Sequence, residues 1–538
     1  MRSSALFFLT VMAVAAMPGR EEVSKEFART VALAAGQRVS VESRHGDMVI
    51  RGVSAKEASI RAFIQVSAPE RAVAEQFAGG IRVDVINGAG ELRVALRYPE
   101  MPRPSGFFGR IFGGSNMGFS VRLELLLPEG SPLAVRHAFG NVEIDEMKAG
   151  VAVAHANGGM VIRKGRGTHR LETSFGGLRA ERIAGDVTAV NQNGDVSVSD
   201  VTGDVSARSK FGAMEVTRVS GTVDAQNVNG AVAVTDAGGR ATIGTSFAQV
   251  NATRLKGDVI VRNDNGGVDV TDVQGSAEVT TKFGKVKFGN IGRGVLVRNE
   301  NGAVEGLRVA GSAKVVTSHG TMQVSDVTGD VDLQNDNGEI QLMTVGGTAT
   351  LRTKFGKVEA FGVRKALTVT NDNGGVTVRD AGAAVTVKTK FGPAVVERSA
   401  GFVSAWNDNG AITVSQARAG VTATTKFAAV KLEGITGAVD VINDNGPIAV
   451  TDLRRSGAGK CDPVRLSTRF GSIDVGLPAD ADYDLSASTK FGKIQTNVAV
   501  TVQGQLQPEQ VTGRIGRGGC ELKLFNDNGG ITINGVKK

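Results

Sequence analysis

Proline is scarce in this sequence, with 12 residues in 538, while glycine is abundant at 72. That balance excludes a collagen-like chain and a Pro-rich disordered tract. After the first residues no apolar run reaches the ~18 positions that a membrane helix needs. The formal charge is only +8, with Lys and Arg interleaved among Asp and Glu. There is therefore no basic stripe of the kind that binds nucleic acid. Catalytic motifs are missing as well: no nucleophile elbow, no phosphate-binding loop and no zinc motif. A polysaccharide lyase or hydrolase would need a local group of acids or bases. Here the carboxylates recur evenly and gather nowhere. The expectation is that the chain is not an enzyme and carries no cofactor.

The scarce residues that remain are few enough to weigh singly. Five His are present: His45, His137, His155, His169 and His319. His137 and His155 stand one repeat apart and could face each other, but further metal ligands are lacking nearby. Cys461 and Cys520 suit an oxidising compartment, where they either pair or stay as free thiols. The single Trp is Trp406. An exposed Trp can stack on a sugar or anchor a partner; the plainer alternative is a strand residue lying over a turn. Calcium is disfavoured. The double repeat of calcium β-rolls has the same length as the unit described below, but the GGxGxDxUx signature is not met. Lysines also stand between the aspartates of the "NDNGG" words.

The sequence opens with "MRSSALFFLTVMAVAAMPGREE". A short positive start, an apolar stretch to Ala16 and a small-residue pattern predict a secretory signal peptide over 1–16. The mature chain is then expected in the periplasm, at the cell surface or outside the cell.

What the sequence has in plenty is repetition. Phe stands at 139, 175, 211, 247, 283, 355, 391 and 427, evenly spaced, with His319 at the one skipped place. Asn stands at 157, 193, 229, 265, 301, 337, 373, 409 and 445, falling midway between the Phe positions. The Phe–Asn repeat is thus a 36-residue one made of two 18-residue halves. Gly follows both in nearly every case; Ala248 and Ala428 are the exceptions. A second Gly column, Gly185, Gly203, Gly221, Gly239, Gly257 and Gly275, lies half a unit on. Between these marks apolar and polar residues alternate, which predicts short half-buried strands. Two strands in so short a unit cannot bury a core alone, but stacked units can. The predicted fold is all-β: a single long parallel β-solenoid of ~18-residue coils. A row of β-sandwiches needs roughly 100 residues per unit. A propeller needs about 40–45 per blade. The half-period speaks against both, although a 36-residue unit is near a blade's length and leaves the propeller as a minor alternative.

Stacking also explains a column of alternating charge. It runs Asp264, Lys282, Glu300, Ser318, Asp336, Lys354, Asp372, Lys390, Asp408, Lys426, Asp444. Neighbouring strands lie ~4.8 Å apart, so one repeated charge would face itself. A second column, Arg182, Asp200, Arg218, Asp236, Arg254, Asp272, alternates likewise. The Phe and Asn column next to the first is expected, by parity, to point inward and fill a corner.

The ends differ. Residues 23–136 lack the repeat spacing and read as a β-rich cap. It holds a short helix in "SAPERAVAEQFAGGI", with Ser67 as its N-cap and Pro69 early in it. A Gly-rich loop there carries Phe107, Phe108, Ile111 and Phe112, either packed over the first coil or free to meet a partner. Residues 137–454 are the regular repeats. In 455–538 the register slips, and "FNDNGGITING" is read as closing the chain. Both ends must cover open strand edges.

The words "LPEGSPLAVRHAFGNVEI", "VGLPADADYDLSASTKFGKIQT" and "CELKLFNDNGGITING" resemble those of the bacterial secreted domains called putative adhesins, a family of unknown function. The likeness covers roughly residues 27–535 and implies a β-solenoid that binds at surfaces. It supplies no binding motif and therefore no site residues. Partners would be an envelope polymer, a glycan or a surface protein. Two alternatives remain open from sequence: a polysaccharide-active β-helix enzyme and a self-associating structural element.

Overall fold

In the computed structural model the described residues are 20–100, 117–457, 460–502 and 507–535. The predicted signal peptide, 1–16, lies outside them. The chain divides into two compact units, 1–224 and 225–538. Each is a parallel β-solenoid of 18-residue coils.

The second unit displays the regular coil. One strand, Val259–Asn265, runs into a glycine turn, and the next, Val268–Val273, returns on the opposite face. The following coil repeats this as Ala277–Phe283 and Val286–Ile291. Each strand pairs in parallel with its equivalent in the next coil, Val259 with Ala277 and Val268 with Val286. Val259, Val261, Val268, Val270 and Val273 point inward and are buried. Small branched side chains suit this space because two sheets must close over a narrow core. Burying each stabilises by about 1.5–3 kcal/mol before entropy is counted.

Val273 reaches the interior by a backbone device. Asp272, just before it, has φ 56°. This left-handed residue lets two outward side chains, Thr271 and Asp272, stand in succession before the chain turns back in. The same position is left-handed in nearly every coil, and the occupants include Arg254, Asn290, Arg308, Thr344 and Arg398. Such a conformation costs roughly 1–2 kcal/mol for a residue other than Gly, Asn or Asp. The second charge column of the sequence is therefore also the bend of each coil.

In the first unit a coil stands ahead of the regular series. Strands Arg38–His45 and Asp47–Val53 pair in parallel with Leu133–Phe139 and Val142–Asp145. His45 lies beside Phe139, and Asn141 donates from its backbone to Asp47 Oδ1 at 2.8 Å. The repeat spacing is absent here because the chain leaves after Val53, so equivalent positions of the two coils, such as Asp47 and Asn141, are 94 apart. The excursion covers the edge. Gly118–Pro128 adds in parallel to Asp47–Val53, then Glu57–Ala68 and Glu21–Ala32 add antiparallel. On the other face Glu91–Arg97 adds in parallel and Arg82–Asn87 antiparallel.

One expectation for the ends is corrected. The helix is Arg71–Gly80, with Glu70 at its N-cap making no side-chain bond. Ser67 is not the cap, because sheet pairing with Glu22 on one side and Gly118 on the other holds it in a strand. At the other end the last sequence word lies inside the stack. Glu521–Asn528 inserts between Val464–Phe470 and Tyr483–Thr489, parallel to both. Tyr483–Thr489 is then covered by the antiparallel strand Gln510–Ile515. Cys461 and Cys520 are joined by a disulfide, fixing the inserted strand at its start.

Candidate functional site

The densest pattern of exposed chemistry lies where each strand such as Val259–Asn265 meets its glycine turn. Its last three residues take three roles. Asn263 is buried, Asp264 is outward, and Asn265 stands at the corner.

The buried place forms a polar column. In unit 2 it runs Asn263, Thr281, Asn299, Thr317, Asn335, Thr353, Asn371, Thr389. Asn263 Nδ2 donates to the carbonyls of Gly266 at 3.1 Å and of Ala248, in the previous coil, at 2.9 Å. Asn371 does the same to Gly374 and Gly356. Each of these Asn thus closes its own turn and ties it to the turn of the coil before. Thr281, Thr317, Thr353 and Thr389 bond locally, as Thr317 Oγ1 to the His319 carbonyl at 3.2 Å, whereas Thr245 and Thr425 reach the Gly230 and Gly410 carbonyls of the previous coil. Sequence reasoning missed this column, although it is the first letter of both repeated words, "TKFG" and "NDNG".

The corner place carries the ring column, and here the inward expectation fails. Phe283, Phe355 and Phe391 are 50%, 53% and 50% exposed. Backbone already fills the corner. A Cβ on Gly284 would lie 2.1 Å from the Gly266 carbonyl oxygen. That leaves no room for a ring between coils, so the rings turn out to solvent. The column is in register as Asn265, Phe283, Asn301, His319, Asn337, Phe355, Asn373, Phe391. A ring therefore recurs on every second coil, with an amide on each coil between. Asn337 Nδ2 and His319 Nε2 lie 3.3 Å apart.

Beside the rings runs the charge column. Lys282 bonds Asp264 at 2.8 Å, Lys354 bonds Asp336 at 2.8 Å, Lys390 bonds Asp372 at 2.9 Å and Lys426 bonds Asp408 at 2.7 Å. Arg469 lies 3.6 Å from Asp444. Each lysine leans to the aspartate before it, so the ladder is a series of pairs. The bond to Asp264 raises the pKa of Lys282, and that to Asp408 raises the pKa of Lys426. Glu300 lies next to Lys282 in the stack and raises it further through its charge.

Other predicted positions fall elsewhere. Trp406 pairs in register with Lys388 and Thr424 and is half-buried on the outer face. Phe107, Phe108 and Phe112 lie outside the described residues. His137 and His155 stack with ring centroids 5.1 Å apart and planes within 6°. Burial holds both below the usual histidine value, as it does His169. Among the described residues no three His, Cys, Asp or Glu are grouped to hold a metal ion, and no helix is long and apolar enough to cross a membrane.

No family model matches the sequence, and no curated protein matches it. Solved structures similar to it are adhesion proteins described as putative. One, a cell adhesion protein from Clostridium sporogenes, is 12% identical over 44% of this chain and 100% of its own, with TM-score 0.21. An adhesin from Parabacteroides merdae is 10% identical over 60% and 95%, with TM-score 0.20. Another from Parabacteroides distasonis is 10% identical over 58% and 97%, with TM-score 0.18. At these scores the similarity carries no argument about function, and the strand register alone defines the fold.

Proposed function

We propose that the chain is an exported, non-enzymatic binding scaffold of adhesin type, acting in the periplasm, at the cell surface or outside the cell. Its partner would be an envelope polymer, a glycan or a surface protein. One observation supports this above others. Equivalent side chains of successive coils are neighbours, so the exterior of the second unit repeats the same exposed groups at a fixed interval. A repeating surface suits a repeating ligand, because each coil adds a weak contact and the contacts act together.

The test is to mix purified chain with isolated envelopes and with envelope glycans, measuring retention and release of reducing ends. Retention without release is expected. Turnover would overturn the reading in favour of a polysaccharide-active enzyme. Growth of scattering with concentration, without retention, would favour a self-associating element. Trp406→Ala should weaken retention if the single Trp is an anchor.

A further inference from the structure

We propose that the rings Phe283, His319, Phe355 and Phe391 form a binding strip for a linear, uncharged, β-1,4-linked polysaccharide running along the stacking direction. This rests on the scaffold reading and names its ligand class and site. The argument begins with spacing. Strands lie ~4.8 Å apart, so rings on alternate coils recur at roughly 9.6 Å. An extended β-1,4-linked pyranose advances by about one strand spacing. Every second sugar then meets a ring, and the sugar between meets an amide, Asn301, Asn337 or Asn373.

Chemistry makes the same selection. A pyranose offers an apolar C–H face to stack on a ring and hydroxyls at its edge for amides and carboxylates. The strip offers these in the same alternation. Its charges are already mutually satisfied in the pairs Lys282–Asp264, Lys354–Asp336 and Lys390–Asp372, at 2.8, 2.8 and 2.9 Å. Glu300 adds one further negative charge to this column, so the strip offers a polyanion no attraction, and an uncharged polymer is its complement. A protein partner fits less well. Stable protein interfaces want a continuous apolar centre, and here amides part the rings.

The experiment uses the full chain with β-1,4-linked gluco-oligosaccharides from disaccharide to octasaccharide, followed by calorimetry. The α-1,4-linked series and polygalacturonate are controls. Affinity should rise steeply once the ligand spans two rings, then climb further with each added pair of sugars. Phe355→Asn places in the column a residue that its turns already hold at the neighbouring coils, so the fold is kept. It should cost about tenfold in hexasaccharide affinity. Adding Phe391→Asn leaves only Phe283 and His319 in the strip, and should bring the hexasaccharide down to the level of a trisaccharide, which spans two rings. Equal binding of the α-linked series, or preference for polygalacturonate, would overturn the proposal. So would full binding by the double variant with loss in Trp406→Ala, which leaves the scaffold reading intact. Retention on whole envelopes without any β-1,4-glucan binding would likewise reject the strip alone. If neither is bound, both readings fail. Variants that alter only sedimentation would make the strip a self-association face instead.

Discussion

At the scale of single residues the turn glycine is the most constrained position. Gly284 has φ 133°, and its missing Cβ would sit 2.1 Å from the carbonyl oxygen of Gly266. Both strain and collision oppose any side chain. Gly284→Ala should destabilise the unit by about 2 kcal/mol or more, read from denaturant unfolding. Gly289→Ala is the control. A Cβ there meets only ordinary contacts, 3.5 Å from Leu307 O, so its effect should be close to neutral. Ala248 and Ala428 interrupt the glycine column because the turn itself changes there. The amides of Ser246 and Phe247 both reach the Val228 carbonyl, and those of Lys426 and Phe427 the Asp408 carbonyl. The stacked histidines give a second residue-level prediction. His137 and His155 are held neutral first by burial, and His137 also by its neighbour. A depressed folded pKa means the unfolded chain binds the proton more readily. Stability of the first unit should be flat above the ordinary value of 6.5 and fall as pH drops below it. His155→Asn substitutes the residue that Asn191 supplies in the same buried column, and should reduce that slope in unfolding midpoints measured against pH.

At the scale of the coil, the charge columns matter more for what they prevent than for what they add. An exposed pair such as Lys354–Asp336 is worth about 0–1 kcal/mol, so Lys354→Ala should change the unfolding midpoint little. Lys354→Asp is different. It places three carboxylates, at 336, 354 and 372, in successive strands. It should destabilise by roughly 1–2 kcal/mol at low salt and recover as salt is added. Equal losses from both substitutions, insensitive to salt, would mean that lysine acts through packing rather than charge. The second column shows why such alternation was readable while its backbone role was not. Asp236 and Arg254 form a two-point pair at 2.7 and 2.9 Å, as do Asp380 and Arg398 at 2.6 and 2.9 Å. Their charges announce the stacking. Arg and Thr at left-handed φ give no such signal, because neither prefers that conformation.

At the scale of the whole chain, the legible part of the fold was the part that repeats locally. A fixed repeat spacing gives the neighbours of Asp264 or Thr281 directly. It fails where pairing spans long intervals: His45 beside Phe139, and Thr468 and Thr489 both beside Asn526. Parity failed at Phe283 for a related reason. It holds within a strand, but a turn filled by backbone ends it. The inserted C-terminal strand leads to the last prediction. Glu521–Asn528 occupies a gap between two parallel strands, and the Cys461–Cys520 bond ties its start across 59 residues. Closing a loop of that length stabilises by roughly 4 kcal/mol in the chain-entropy model. Without it the strand has less to hold it in place. Its departure would uncover backbone edges on Val464–Phe470 and Tyr483–Thr489, both templates for another chain. Cys461→Ser with Cys520→Ser should therefore lower the unfolding midpoint and raise light scattering with protein concentration. If the double variant melts earlier yet stays monomeric, the inserted strand is held by its ladder alone. The bond would then contribute stability without guarding an edge.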